Sequence, residues 1–275
     1  MKLPGGHRWN AAGLVGGAGA ALLVAFLVLP IAALLWSTGW RDVVAGLGDR
    51  LALAALLLSG LTTASSLVVV VLLGTPLAWT LARRGGSLAR ALGTIVQLPI
   101  VVPPAVSGLA LLLAFGRRGL LGPWLASLGL SLPFTTAAVV LAEVFVSAPF
   151  YVMAAAAAFR RVDPALLTVA RSLGAGPART FFRVAVPLSL PGLATGAALS
   201  WSRALGEFGA TLMFAGNLTG RTQTLPLAIY TAMEVDLRPA KAMAVLLVAV
   251  AFALLLLVSR GTQVLPPADH ALRPT

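Results

Sequence analysis

Cysteine is absent from the 275 residues, which excludes disulfides, thiolate metal sites and a cysteine nucleophile. Histidine occurs only as His7 and His270, near opposite ends, which argues against a histidine metal site or a Ser-His-Asp triad. Lysine occurs only as Lys2 and Lys241, and neither follows a Gly-x-x-x-x-Gly spacing, so no P-loop is present to hold ATP. Charge is scarce as well. Only 10% of residues are charged, against about a quarter in soluble domains, while 59% are hydrophobic. That composition cannot coat a water-soluble globule, and it excludes a disordered chain and a coiled coil. It leaves a multi-span membrane protein.

Six apolar segments reach the roughly 20 residues that a spanning helix needs: residues 13–36, 51–82, 91–115, 134–159, 192–216 and 242–259. The first exceeds the apolar core of a signal peptide and reads as a retained helix. The second is longer than a bilayer core requires; it must tilt, project into water, or bend at Gly74-Thr75-Pro76. Pro99, Pro103 and Pro104 remove three backbone donors from the third segment and predict a kink or break there. A break of that kind faces a pore or subunit interior, or is a static kink.

The net charge of +12 lies between the apolar runs. Lipid headgroups and membrane orientation account for it better than nucleic acid does. With the N-terminus inside, twelve basic residues fall on the cytoplasmic side: Lys2, Arg8, Arg83, Arg84, Arg90, Arg160, Arg161, Arg171, Arg179, Arg183, Arg260 and Arg273. Seven fall outside: Arg41, Arg50, Arg117, Arg118, Arg221, Arg238 and Lys241. The bias predicts both termini in the cytoplasm. Trp9, Trp36, Trp40, Trp79, Trp124 and Trp201 fall mostly near predicted interfaces, and the stretch at Pro266-Pro267 is expected to be disordered.

The inner loop, residues 160–191, is the most informative stretch. Asp163 can cap a helix that Pro164 starts, and Gly174-Ala175-Gly176 can end it. Pro177 starts a second short helix that Pro187 and Pro191 are expected to end. Leu166, Leu167, Phe181 and Phe182 mix with Arg171, Arg179 and Arg183 on the predicted exposed face. Such a hairpin either rests on headgroups or docks another protein.

Within the apolar segments stand three ionisable groups. Arg203 and Glu207 are four apart and predicted to share a helix face. They either neutralise each other within the bundle or line a path and gate it. Glu143 receives no role beyond a neutral or hydrogen-bonded carboxyl. Gly192-x-x-x-Gly196, with Ser200 beyond, offers a small-residue stripe for close helix packing.

The inner loop resembles the Glu-Ala-Ala signature loop of ABC-transporter permeases. Thr168-Val169-Ala170 holds the Glu-Ala-Ala place, Gly174 follows at the family spacing, and Val184-Ala185-Val186-Pro187 closes the motif. Thr168 replaces the glutamate and Val169 the first alanine, which removes any salt bridge from that glutamate. Residues 201–231, the Arg221-Thr222-Gln223-Thr224-Leu225-Pro226 stretch and the run from Leu98 to Pro104 are similar to molybdate permeases. Sulfate permeases share part of this pattern.

The resemblance implies an all-α membrane protein of six transmembrane helices with an ABC importer permease (MetI-like) core and a cytoplasmic coupling helix. Residues 1–50 would carry the first helix and an outer loop, 51–260 the five-helix core, and 261–275 a cytoplasmic tail. It further implies a multi-pass protein of a bacterial inner membrane, present as a homodimer. Its partners would be ABC ATP-binding subunits and a periplasmic or extracellular oxyanion-binding protein. ATP and magnesium would sit in the ATPase partner, with no cofactor and no covalent chemistry in this chain. Coupling to the ATPase would fall to Asp163, Thr168, Ala170, Arg171, Gly174, Ala175, Gly176 and Pro187. Arg203, Glu207, Pro103 and Pro104 are the candidates for a translocation path or gate. Molybdate, with tungstate, is the implied cargo. Sulfate or thiosulfate, a stand-alone secondary transporter or channel, and an intramembrane enzyme are the alternatives.

Overall fold

The computed structural model describes residues 11–263, and its regular structure there is helical throughout. The helices are α1 (Ala11–Ser37), α2 (Trp40–Gly48), α3 (Arg50–Arg83), α4 (Ser87–Val101), α5 (Pro104–Phe115), α6 (Gly122–Ser127), α7 (Thr136–Arg161) and α8 (Pro164–Ser172). They continue as α9 (Pro177–Thr180), a π-helical turn (Phe181–Ala185), α10 (Val186–Leu205), α11 (Gly209–Ala215), α12 (Leu225–Met233) and α13 (Leu237–Gln263). Among the described residues, four helical stretches are long and apolar enough to cross a membrane: Gly16–Ser37, Arg50–Arg83, Thr136–Arg161 and Pro177–Leu205. The bent pair α4 and α5 makes a fifth if counted as one span. The sixth predicted segment falls inside α13. His7, His270, Trp9, Pro266-Pro267 and the predicted tail beyond Gln263 lie outside the described residues.

Local chemistry sets these boundaries. Asp49 caps α3 by accepting from the Leu51 N–H, and Thr135 caps α7 by accepting from the Ala138 N–H. The third segment breaks as its prolines require. Pro99 stays inside α4, the chain turns at Val102-Pro103, and α5 leaves at 115° to α4. The second segment does not break: α3 runs 34 residues through Pro76.

The fifth segment differs from its predicted limits. It begins at Pro177 and ends at Leu205, so Pro187 and Pro191 do not stop it. The π turn explains this. The Val186 N–H reaches back five residues to the Phe181 carbonyl, which places Pro187 in the first turn of α10, where a missing N–H costs little. At the other end the chain leaves the helix at Gly206, and residues 206–208 separate α10 from α11.

Helix α7 is the axis of the bundle, with α3 and α10 along its sides. Alanine dominates the contacts: Ala142, Ala155 and Ala156 of α7 are fully buried, as are Ala78 of α3 and Ala210 of α11. Small side chains bring helix backbones close, as expected where water does not drive packing. Gly192 and Gly196 follow that rule. A Cβ at Gly192 would stand 2.4 Å from the Ala158 Cβ, and one at Gly196 3.0 Å from the Ala154 Cβ. Helix α1 lies outside the bundle, with none of its apolar window buried.

Candidate functional site

Two regions collect the predicted functional residues. The first is the hairpin between α7 and α10. The Asp163 carboxylate accepts from the Ala165 N–H at 2.8 Å and starts α8. Gly174, at φ +87°, ends it in the left-handed conformation. The Ala175 N–H donates to the Ala170 carbonyl (3.0 Å) and the Gly174 N–H to the Arg171 carbonyl (2.9 Å). These are the two bonds of a Schellman cap, and they account for the Ala-x-x-x-Gly spacing of the signature. Gly176 is extended and leads into α9, and the Thr168 hydroxyl donates to the Pro164 carbonyl.

The hairpin's faces differ from the predicted ones. Leu167 is buried and Phe181 half-buried, so neither belongs to the exposed face. Both enter a cluster with Phe159, Val162 and Ala185 that seats the hairpin on the ends of α3 and α7. Leu166, Val169 and Leu173 are exposed, Leu173 at 81%, beside exposed Thr168 and Arg171.

Sequence reasoning missed the base of this hairpin. Arg83 donates from one guanidinium nitrogen to the Phe159 and Val162 carbonyls, at 2.9 and 3.0 Å, just before α8 begins. Its guanidinium carbon lies 4.9 Å from the Trp79 ring centroid, and Trp79 meets Phe159 and Phe181 edge-on at 5.3 and 5.2 Å. Trp79 therefore packs the base of the hairpin. The sequence signal was Arg83 one helical turn after Trp79.

The second region is where two broken segments cross. Gly209 opens α11 directly against Pro104, which opens α5; a Cβ there would stand 2.8 Å from the Pro104 Cβ. Gly108 on α5 has the same relation to Met213 (2.6 Å) and to the Ala210 carbonyl (2.8 Å). Pro103 and Pro104 are exposed on this chain rather than buried within it. Arg203 and Glu207 meet beside the crossing, although Glu207 has left α10. The Arg203 Nη1 to Glu207 Oε2 distance is 2.7 Å, with 29% of the arginine side chain and 2% of the glutamate side chain accessible. The other carboxylate oxygen accepts from the Ala210 N–H at 2.7 Å. Glu207 thus ties the end of α10 to the start of α11 with both oxygens engaged.

A belt of small polar residues on α3 joins the other helices. Ser59, Thr62, Thr63 and Ser66 are buried at helical spacing on one face. Ser59 Oγ accepts from the Leu225 N–H of α12, Thr63 Oγ1 accepts from the Trp201 indole of α10, and Thr62 donates to Glu143 Oε1 of α7. Glu143 is thus a buried hydrogen-bond acceptor at the centre of the bundle. Trp201 is an internal donor rather than an interface anchor.

This arrangement is that of a multi-pass helical membrane protein with one structured hairpin at its basic end. Residues 71–267 match the family of binding-protein-dependent transport system inner membrane components. The chain belongs to that family. The molybdenum transport system permease protein ModB of Mycobacterium tuberculosis is 45% identical over 241 residues, 88% of this chain and 91% of that protein. The probable transport system permease protein NifC of Clostridium pasteurianum is 39% identical, covering 86% of this chain and 84% of its own length. A bacterial ABC transporter that imports the acidic polysaccharide alginate shares the fold, with a TM-score of 0.73 at 16% identity over 92% of this chain and 96% of that one. The MetNI methionine ABC transporter matches at a TM-score of 0.62 and 19% identity, over 79% of this chain and 97% of its own.

Proposed function

We propose that this chain is the membrane-spanning permease subunit of an ATP-driven importer for molybdate, with tungstate as a close analogue. The carrying observation is the 45% identity to a molybdenum transport permease over 88% of the chain. The permease spans the membrane with six helices, counting α13, and places both termini in the cytoplasm. Residues 51–260 form the core, preceded by the first span and outer loop of 1–50 and followed by the tail of 261–275. Two copies form the translocation unit. An external binding protein delivers the oxyanion, and two ATPase subunits supply the work. ATP and magnesium are held by those subunits, and this chain catalyses no covalent step.

In this reading α8 is the coupling helix. Asp163 starts it and the cap formed by Ala170, Arg171, Gly174 and Ala175 stops it. The exposed Thr168, Val169, Arg171 and Leu173 are what it offers to a groove on the ATPase. Gly176 and Pro187 pass the motion into α9 and α10 without a flexible joint. The crossing of α5 and α11 at Pro103, Pro104, Arg203 and Glu207 forms the gate, where accessible Arg203 draws the dianion.

The test is reconstitution of the permease in vesicles with its ATPase and binding protein. Molybdate is expected to accumulate only with ATP and all three components, and tungstate to compete where sulfate does not. Uptake by the permease alone, without nucleotide, refutes the mechanism. Preferential uptake of sulfate refutes the cargo.

A further inference from the structure

At the basic end of the bundle, between the α3–α4 corner and the last turns of α7, lies a cleft of about 240 Å³. Three arginines line it: Arg84 just beyond α3, Arg90 on α4 and Arg160 on α7. Arg90 Nε makes one long hydrogen bond, 3.4 Å, to the Gly86 carbonyl. The Arg84 and Arg160 side chains make no hydrogen bond or ion pair among the described residues. No carboxylate lines the cleft. Asp163, the nearest acidic residue along the chain, turns an oxygen to the Ala165 N–H.

Three exposed arginines around one depression, with no carboxylate among the lining residues, present charge of one sign that an anion can join. The backbone adds to the demand. Gly86, at φ +101°, precedes the 15-residue helix α4 and supplies no side-chain cap, so the first N–H groups of α4 lack that partner. Apolar residues line the same cleft: Leu81, Met153 and Ala156. Ala89 and Gly93, one turn apart on α4 with Arg90 between them in the chain, line it as well. A cleft lined by both arginines and apolar residues fits an amphiphile with a phosphate head and an acyl chain.

We infer that the Arg84–Arg90–Arg160 cleft binds an anionic phospholipid of the adjoining leaflet, with the phosphate between the guanidinium groups and an acyl chain against Ala89 and Gly93. The inference does not depend on the cargo or on the ATPase. A bound lipid would bridge α3, α4 and α7 at the end of the bundle where the hairpin begins.

The test uses the purified full-length chain in neutral detergent. It is titrated with phosphatidylglycerol, phosphatidylcholine of the same chain length, or inorganic phosphate, and thermal unfolding is followed. Phosphatidylglycerol is expected to raise the Tm saturably, and the other two probes to leave it unmoved. Each guanidinium removed is expected to weaken phosphatidylglycerol about fivefold, so Arg84→Gln/Arg90→Gln/Arg160→Gln loses about a hundredfold. Arg179→Gln/Arg183→Gln, at the same end of the chain's charge pattern, keeps wild-type affinity. A shift with phosphate equal to that with phosphatidylglycerol overturns the lipid assignment in favour of a free anion. Unchanged lipid affinity in the triple variant, with or without lost ATPase association, overturns the site. The wild-type chain provides a readout that needs no variant. Photoactivatable phosphatidylglycerol is expected to label residues 81–93 and 153–160, and labelling confined to other segments overturns the proposal as well.

Discussion

Neutralising Glu207 tests what the crossing of α5 and α11 is built on. Glutamine at that position can still accept from the Ala210 N–H through its carbonyl. Its amide, however, would point two donor hydrogens at the Arg203 guanidinium, where the present contact is 2.7 Å. A hydrogen bond to a charged group contributes about 1.5–3 kcal/mol, and the arginine's 29% accessibility lets water recover part of it. Glu207→Gln is therefore expected to cost about 2 kcal/mol. Arg203→Gln removes the counter-charge of a carboxylate that is 2% accessible and leaves it a neutral amide donor at most, and breaking a buried pair from that side costs about 3 kcal/mol. In the double variant two amides face each other and can hydrogen-bond, so the losses do not add. The coupling energy is expected to be about 2 kcal/mol. Thermal unfolding of the four proteins in detergent, at about 2–4 °C per kcal/mol, measures the cycle. Additivity within about 0.5 kcal/mol refutes the argument, because it means that the pair contributes nothing as a pair. The same four proteins divide the two roles of the pair. If it only holds the bundle together, the double variant regains both stability and transport. If it gates, stability returns and transport does not.

Three further changes follow from local geometry. Gly174→Ala places a Cβ at φ +87° in open space, so the cost is backbone strain alone, about 1–2 kcal/mol. Insertion should persist while transport-coupled ATPase activity falls, and Gly174→Asn should lose less; wild-type coupling in the alanine variant contradicts the role given to the cap. Arg83→Gln leaves the Phe159 and Val162 carbonyls without their shared guanidinium donor and should cost about 2 kcal/mol, with Arg83→Lys restoring part of it, read by thermal unfolding. Gly192→Leu collides with Ala158 and should lower the Tm by the equivalent of about 1–3 kcal/mol or more, and Ala158→Gly in the same chain should recover part of the loss.

The parts of the fold legible in the sequence are those whose chemistry is local. Proline fixes its own φ and removes its own donor, so a break in the third segment was legible, although only Pro103 and Pro104 stand at it and Pro99 stays inside α4. The α8 boundaries were legible for the same reason: Asp163 and Pro164 start a helix, and Gly174 ends one. Pro187 misled because its effect depends on what precedes it. A π turn over Phe181–Ala185 absorbs the missing donor, and no residue in FFRVA announces a π turn. The outward placement of Leu167 failed on the same ground, since its burial is set by Val162 and Phe159 in another helix. The belt of Ser59, Thr62, Thr63 and Ser66 received no reading from the sequence, because its meaning lies in partners 81 to 166 residues away.

In the proposed coupling the hairpin would act as a lever, and its geometry bears on that role. A surface segment transmits displacement only if its own bending is costlier than the motion it transmits. Three features raise that cost here. Caps at Asp163 and Gly174 fix the length of α8. The Arg83 guanidinium fastens the turn before α8 to the end of α3. Helix continues from Pro177 to Leu205 without a joint, so rotation of α9 must rotate α10. At the far end of that rod, Arg203 and Glu207 fasten α10 to α11, which crosses α5 at Pro104. On that proposal a displacement of the hairpin would be delivered where two broken helices meet. There both helical paths are already interrupted, between Val101 and Pro104 and between Leu205 and Gly209.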